Sequence, residues 1–342
     1  MKISHLSSLF IILIALVITL IYGQSLIIPF VLAVLIWFII KELREIMQGI
    51  PFIKEKAPSW LLSVLAFLGI GVVLAAISNL LGQNIQNLSK SLPNYQGQID
   101  EIALLLEKNL GVNYKESLSE YAVNIDFGNI VEMLINSISD IIGNTVMIVL
   151  YLIFLLLEEQ VFQKKLKALY PDQDKYNKIK VILQNIDRSV GKYIALKTFI
   201  SLITGGLSFI ALKVIGVEAA AFWAALIFLL NYIPTIGSLI GTLFPAFFAL
   251  LQFGELNSML YVLGSVGLIQ IVVGNVIEPK LMGDSLNLSA LVVILSLSFW
   301  GAIWGITGMI LSVPITVAIV IVCAAFPSTK RVAILLSENA EL

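Results

Sequence analysis

Six polar side chains lie inside or beside stretches of this chain that are otherwise apolar, and their types limit the chemistry open to them. Asn231, Thr235 and Ser238 fall in one such stretch, and Gln270, Asn275 and Glu278 in another. Amides and hydroxyls donate and accept hydrogen bonds without carrying charge, which suits the binding of a polar uncharged solute. Glu278 is the exception. An acid within an apolar span could take up a proton or a cation, and such a group is a functional candidate by default; the alternative is an interfacial partner for Lys280. Asn275 and Glu278 are three residues apart, so they share a face if the helix persists to Pro279. No catalyst can be assembled: the one histidine is His5, the one cysteine is Cys323, and there is no Ser-His dyad or pair of intramembrane aspartates. Neither enzyme activity, a metal site nor a cofactor is expected.

The elements that must position these residues are helices in a bilayer. With 59% hydrophobic residues, 13% charged and a mean hydropathy of +0.98 over 342 residues, the chain is too apolar for a water-soluble globule. A net charge of -1 and a pI of about 5.9 leave no basic stripe for nucleic acid. Two apolar stretches are interrupted where a membrane helix should be continuous. The first, Phe222 to Gly241, contains Pro234 and Gly237; the second, Gly274 to Pro314, contains Pro279. Lipid offers backbone groups no partner, so unwound backbone survives only where protein or a wet cavity satisfies it. Pro234, Gly237, Gly241, Pro279 and Pro314 are therefore expected as helix breaks or hinges at a substrate pathway. Packing kinks are the competing reading. The segments 219–253 and 288–323 are each too long for one straight span of about 20 residues. Each is a kinked span or a re-entrant hairpin; if both are hairpins, they enter from opposite faces.

In chain order, Leu9 to Tyr22 and Leu26 to Ile40 read as two short spans in a hairpin, and Trp60 to Leu81 as a third. Between Gly82 and Asn136 seven acidic residues face three lysines, with apolar residues at helical spacing, which predicts a small helical extracytoplasmic insert. A fourth span, Ile138 to Leu157, leads into the most basic stretch, from Lys164 to Lys192. By the positive-inside rule that stretch and both termini are cytoplasmic, and its apolar periodicity predicts an amphipathic helix at the inner interface. Ala195 to Ile215 and Leu256 to Ile277 are further spans. Asp187, Arg188, Lys192 and Lys197, around the start of the former, could coordinate a substrate at the inner mouth, but are expected as snorkelling or solvated boundary residues. Trp300 and Trp304 are expected as belt anchors. Three parts result: residues 1–82 as N-terminal hairpin and third span, 83–136 as the insert, and 137–342 as a transport core.

The strings Asn231-Tyr-Ile-Pro-Thr-Ile-Gly237, Gly274-Asn-Val-Ile-Glu-Pro-Lys-Leu-Met-Gly283, Leu291 to Gly301 and Gly308-Met-Ile-Leu-Ser-Val-Pro314 resemble those of the autoinducer-2 exporter family of bacterial transporters. The resemblance implies an all-α, multi-pass inner-membrane carrier of about eight spans, working as a homo-oligomer, with a pentamer among the ring sizes open to it. Its partners would be the lipid bilayer and a small-molecule or ion substrate. Members are associated with export of the quorum-sensing signal and with exchange of sodium or lithium for protons. The leading expectation is export of a small polar metabolite such as autoinducer-2 by alternating access. A sodium(lithium)/proton antiporter and a membrane scaffold acting through its outer domain are the alternatives.

Overall fold

The computed structural model describes residues 3–50, 57–73, 143–282 and 287–339, with isolated positions between 75 and 84. The insert expected at 83–136 lies outside the described residues. Every element among them is a helix: α1 (Ile3–Tyr22), α2 (Gln24–Gln48), α3 (Ser59–Val73), α4 (Thr145–Leu169), α5 (Gln173–Ile215), α6 (Ala220–Leu230), α7 (Ile236–Phe253), α8 (Leu256–Met282), α9 (Ala290–Ala325) and α10 (Lys330–Leu336). Six of them, α2, α4, α5, α7, α8 and α9, are long and apolar enough to cross a bilayer. Their outward faces carry large apolar side chains such as Phe154, Phe199, Leu239, Leu268 and Leu291. Water would penalise that much continuous exposed hydrocarbon, whereas lipid is its natural solvent. The expected class, an all-helical polytopic membrane protein, is what the chain forms.

The backbone divides into two compact units. One comprises residues 1–70, 141–196 and 284–342, and the other 71–140 and 197–283. In the first, α2, α3 and α4 close over Ala33, Ile40, Ala66, Ile148 and Leu152. Ion pairs cap this core: Arg44 reaches Glu159 at 2.6 Å, which also accepts from the Trp37 indole at 3.1 Å, and Lys41 pairs with Asp187.

The long element of the same unit, α9, is two helices. Trp304 (φ −126°, ψ 16°) and Gly305 (φ 59°, ψ −141°) leave helical geometry, and beyond them the chain doubles back. A Cβ on Gly308 would overlap the carbonyl of Trp300, and one on Gly301 would lie 3.0 Å from the Met309 side chain. Residues eight apart in a straight helix are about 12 Å apart. The legs are unequal, roughly 21 Å and 30 Å at 1.5 Å per residue, and α10 turns back along the longer one. It thereby meets the start of the shorter one, where Leu336 O accepts from Ser289 N at 3.2 Å and Asn287 Oδ1 from Asn339 N at 3.3 Å. The 288–323 stretch is a helical hairpin, and Pro314 lies inside its second leg rather than at the break. Trp300 and Trp304 are buried with Leu311 against Leu20, Ile27 and Ile315, and the Trp304 indole donates to Leu20 O at 2.9 Å. They are core residues instead of belt anchors.

The second unit holds the other hairpin, α6 and α7. Trp223, near its start, stacks on Phe248, near its end, with ring centroids 5.3 Å apart. At the base one side chain closes the loop: Gln252 accepts from Glu218 N at 2.7 Å and donates to Gly216 O at 2.9 Å. With 11 residues, α6 is too short to span a bilayer. The 219–253 stretch is thus also a hairpin, and α7 packs along α8.

Candidate functional site

In the second unit, polar side chains converge on the tip of the α6–α7 hairpin and on one face of α5. Within five residues the tip reverses the chain by special backbone geometry. Pro234 donates no hydrogen bond, and its carbonyl accepts from Ile236 N at 2.6 Å across Thr235, which has φ 61° and ψ −55°. This is the rare left-handed γ-turn, strained for any β-branched residue. Gly237 follows, its Cα lying against the carbonyl of Leu230 so closely that a Cβ would overlap it. No other residue type lets the returning backbone approach its own first leg at that distance. Asn231 ends α6, is buried, and donates from Nδ2 to Ser201 Oγ at 3.0 Å, while the Tyr232 hydroxyl donates to Thr198 Oγ1 at 2.7 Å.

Those partners lie on α5, where Lys197, Ser201, Thr204 and Ser208 are all buried. Their spacing of i, i+4, i+7 and i+11 places them on one helix face. Thr204 turns its hydroxyl back to Ile200 O at 2.9 Å, and Ser208 Oγ is fully buried without a hydrogen-bond partner. At the start of the stripe Lys197 Nζ lies 2.5 Å from Glu278 Oε1, the two side chains being 5% and 22% exposed. Lys197 is therefore an inward, paired cation and not the snorkelling boundary residue expected, and Glu278 pairs with it rather than with Lys280.

Local sequence explains how α8 delivers Glu278. Pro279 has no N–H for the carbonyl four residues back, Asn275, and its ring would collide with that carbonyl in a regular α-helix. The helix widens into a π turn over Val273–Ile277 just before it, the usual way an α-helix absorbs such a defect and a frequent mark of functional sites. After that turn Glu278 meets Lys197, while Asn275 is exposed. Gln270, one α-helical turn before the π turn, is buried and its Nε2 makes no hydrogen bond; it lies over Gly241 of α7, where a Cβ would come within 3.4 Å.

Of the six residues singled out from the sequence, the structure brings Asn231 and Glu278 to the polar face of α5 and buries Gln270 between α7 and α8. Thr235 is exposed at the hairpin tip, and Ser238, in the first turn of α7, donates back to Thr235 O at 2.8 Å. The sequence reading passed over Ser201, Thr204 and Ser208 and misassigned Lys197. The signal was present in the i, i+4, i+7, i+11 spacing of polar residues through an apolar span.

Two helical hairpins, each reversing at a backbone break within apolar sequence, define the class: a polytopic membrane protein of the kind that carries solutes rather than one that only anchors. The chain belongs to the family of AI-2E family transporters, whose sequence model matches residues 10–328. It is 33% identical over 328 residues to a putative transport protein of Haemophilus influenzae, covering 92% of this chain and 91% of that one. To the AI-2 transport protein TqsA of Escherichia coli K12 it is 32% identical over 321 residues, 93% and 91% of the two chains. A putative transport protein of Borreliella burgdorferi is 36% identical over 246 residues, 69% and 65% of the two. The protein is a multi-pass membrane transporter acting on a small-molecule or ion substrate.

Proposed function

We propose that this transporter exports a small polar metabolite, autoinducer-2 or a compound of similar chemistry, from the cytoplasm across the inner membrane by alternating access. The observation that carries this reading is the hairpin tip. Asn231 and Tyr232 are held by hydroxyls of α5 at 3.0 and 2.7 Å, inside sequence apolar enough for lipid, where uncharged polar groups are retained only for packing specificity or for a ligand. The unpartnered Gln270 Nε2 and Ser208 Oγ support it. Buried polar atoms are nearly always hydrogen-bonded, and an exception between membrane helices invites a solute or water. The name of the TqsA relative supplies the candidate substrate.

The sodium/proton antiporter reading needs an acid that cycles a proton within the membrane. Glu278 is its candidate, but its carboxylate is paired with Lys197 at 2.5 Å, a contact that a cycling proton would have to disrupt, which favours the neutral-solute reading. Flux of labelled autoinducer-2 into proteoliposomes, recorded together with internal pH, separates the two. Solute movement that persists without ion gradients and is lost in Asn231→Ala supports the exporter. Sodium-dependent proton movement without solute flux, lost in Glu278→Gln, would replace it with the antiporter.

A further inference from the structure

We infer that the Lys197–Glu278 pair is the recognition centre of this site and selects solutes of no net charge that carry several hydroxyl or carbonyl oxygens. The inference rests on the carrier reading above and names its substrate class. Both groups are withdrawn from solvent, at 5% and 22% side-chain exposure, and their 2.5 Å contact uses one ammonium donor and one carboxylate oxygen. An ammonium has three donors and a carboxylate two accepting oxygens. The pair therefore presents spare donors beside a spare acceptor, and no other hydrogen bond to Lys197 Nζ or the Glu278 carboxylate occurs among the described residues. A hydroxyl both donates and accepts, so it can bridge the two, and a carbonyl can accept from Lys197.

Net charge on the solute is what the pair resists. An anion drawn to Lys197 is placed beside the Glu278 carboxylate, and a cation drawn to Glu278 is placed beside the ammonium; where water is scarce such like-charge contacts are costly. A neutral solute leaves the pair intact. Its remaining polar groups would meet Ser201, one turn on along the same face of α5, and the neighbouring Thr198, which already hold the amide of Asn231 and the phenol of Tyr232. The plainer role, a tether between α5 and the end of α8, predicts something different. Replacing both members of a buried pair with neutral groups of similar shape is often harmless to folding, so a pure tether tolerates the double replacement.

The test uses the full-length protein in proteoliposomes with three labelled five-carbon probes of similar size: xylitol, ribonate and 1-amino-1-deoxyribitol, which are neutral, anionic and cationic. The parent is expected to move xylitol at least tenfold faster than either charged probe. Glu278→Gln should shift that preference at least tenfold toward ribonate. The double variant Lys197→Met with Glu278→Gln should keep the parent's melting temperature and lose at least tenfold of xylitol flux. Full xylitol flux in the double variant would reduce the pair to a tether, and equal parental flux of ribonate and xylitol would also overturn the inference. Movement of labelled autoinducer-2 by a parent that rejects all three probes overturns it while sparing the carrier reading; a parent that moves none of the four compounds removes both.

Discussion

The two hairpins solve one backbone problem in the same way and are finished by opposite chemistry. In each, a glycine presses onto a carbonyl of the preceding leg: Gly237 onto Leu230, and Gly308 onto Trp300. In each, the base is tied by hydrogen bonds, through Gln252 in one and through Asn287 and Ser289 in the other. The turn of the α6–α7 hairpin, however, is anchored by an amide and a phenol on hydroxyl partners. The turn of the α9 hairpin is sealed by indoles in an aliphatic cluster, with a single polar contact from Trp304 to Leu20. Close backbone approach is thus the generic requirement for reversing a helix inside lipid, and side-chain polarity at the turn is the variable part. Under the carrier reading proposed above, solute contact falls to α6–α7 and a structural task to α9.

The comparison can be broken at its shared part first. Gly237→Ala and Gly308→Ala should each cost about 3 kcal/mol or more, because a methyl group meets rigid backbone with no flexible atom to yield; a large drop in melting temperature and poor recovery from the membrane are the expected readouts for both. The differing part is sharpened by a pair of variants. Asn231→Ala removes a buried hydrogen bond worth about 1–2 kcal/mol and leaves Ser201 without its donor, so autoinducer-2 flux should fall about tenfold while the protein stays folded. Trp304→Phe keeps the packing and deletes one indole N–H, lowering stability by about 1 kcal/mol with flux unchanged. If Trp304→Phe instead abolished flux without loss of stability, the division of labour between the hairpins would fail. The smallest effect is expected at Thr235→Gly, where release of the positive-φ strain should raise stability by roughly 0.5–1 kcal/mol, seen as a higher melting temperature.

How much of this was legible beforehand differs between the same two regions. Asn231, Pro234 and Gly237 crowd into seven apolar positions, so a break there could be read directly, although whether it was a kink or a reversal could not. That depended on contacts such as Trp223 with Phe248, 25 residues away in sequence. In the second region Pro314 drew the eye, yet a proline can sit within a membrane helix because neighbouring groups satisfy the freed carbonyl. The actual break at Trp304–Gly305 turns on the φ of 59° that glycine permits, and glycines are too common in such helices to single one out. Lys197 was misplaced for a similar reason: a lysine at the start of an apolar span ordinarily reaches for the interface. Only the distant Glu278, 81 residues on, draws it inward.

The π turn of α8 has a further consequence, for which changes of length the chain can tolerate. A π turn amounts to one surplus residue carried within an α-helix, and each residue of an α-helix advances the next by about 100° around the axis. Deleting Gly274 from within the π turn would remove the surplus and leave Glu278 in about its present phase. Deleting a residue of α8 before the turn would instead swing Glu278 by about that angle, orphaning Lys197 without altering a single side chain at the pair. Substitutions along 256–282 leave that phase unchanged, but a lone insertion or deletion there outside the π turn shifts the phase of everything after it. The segment's length therefore sets the pair as much as its chemistry does.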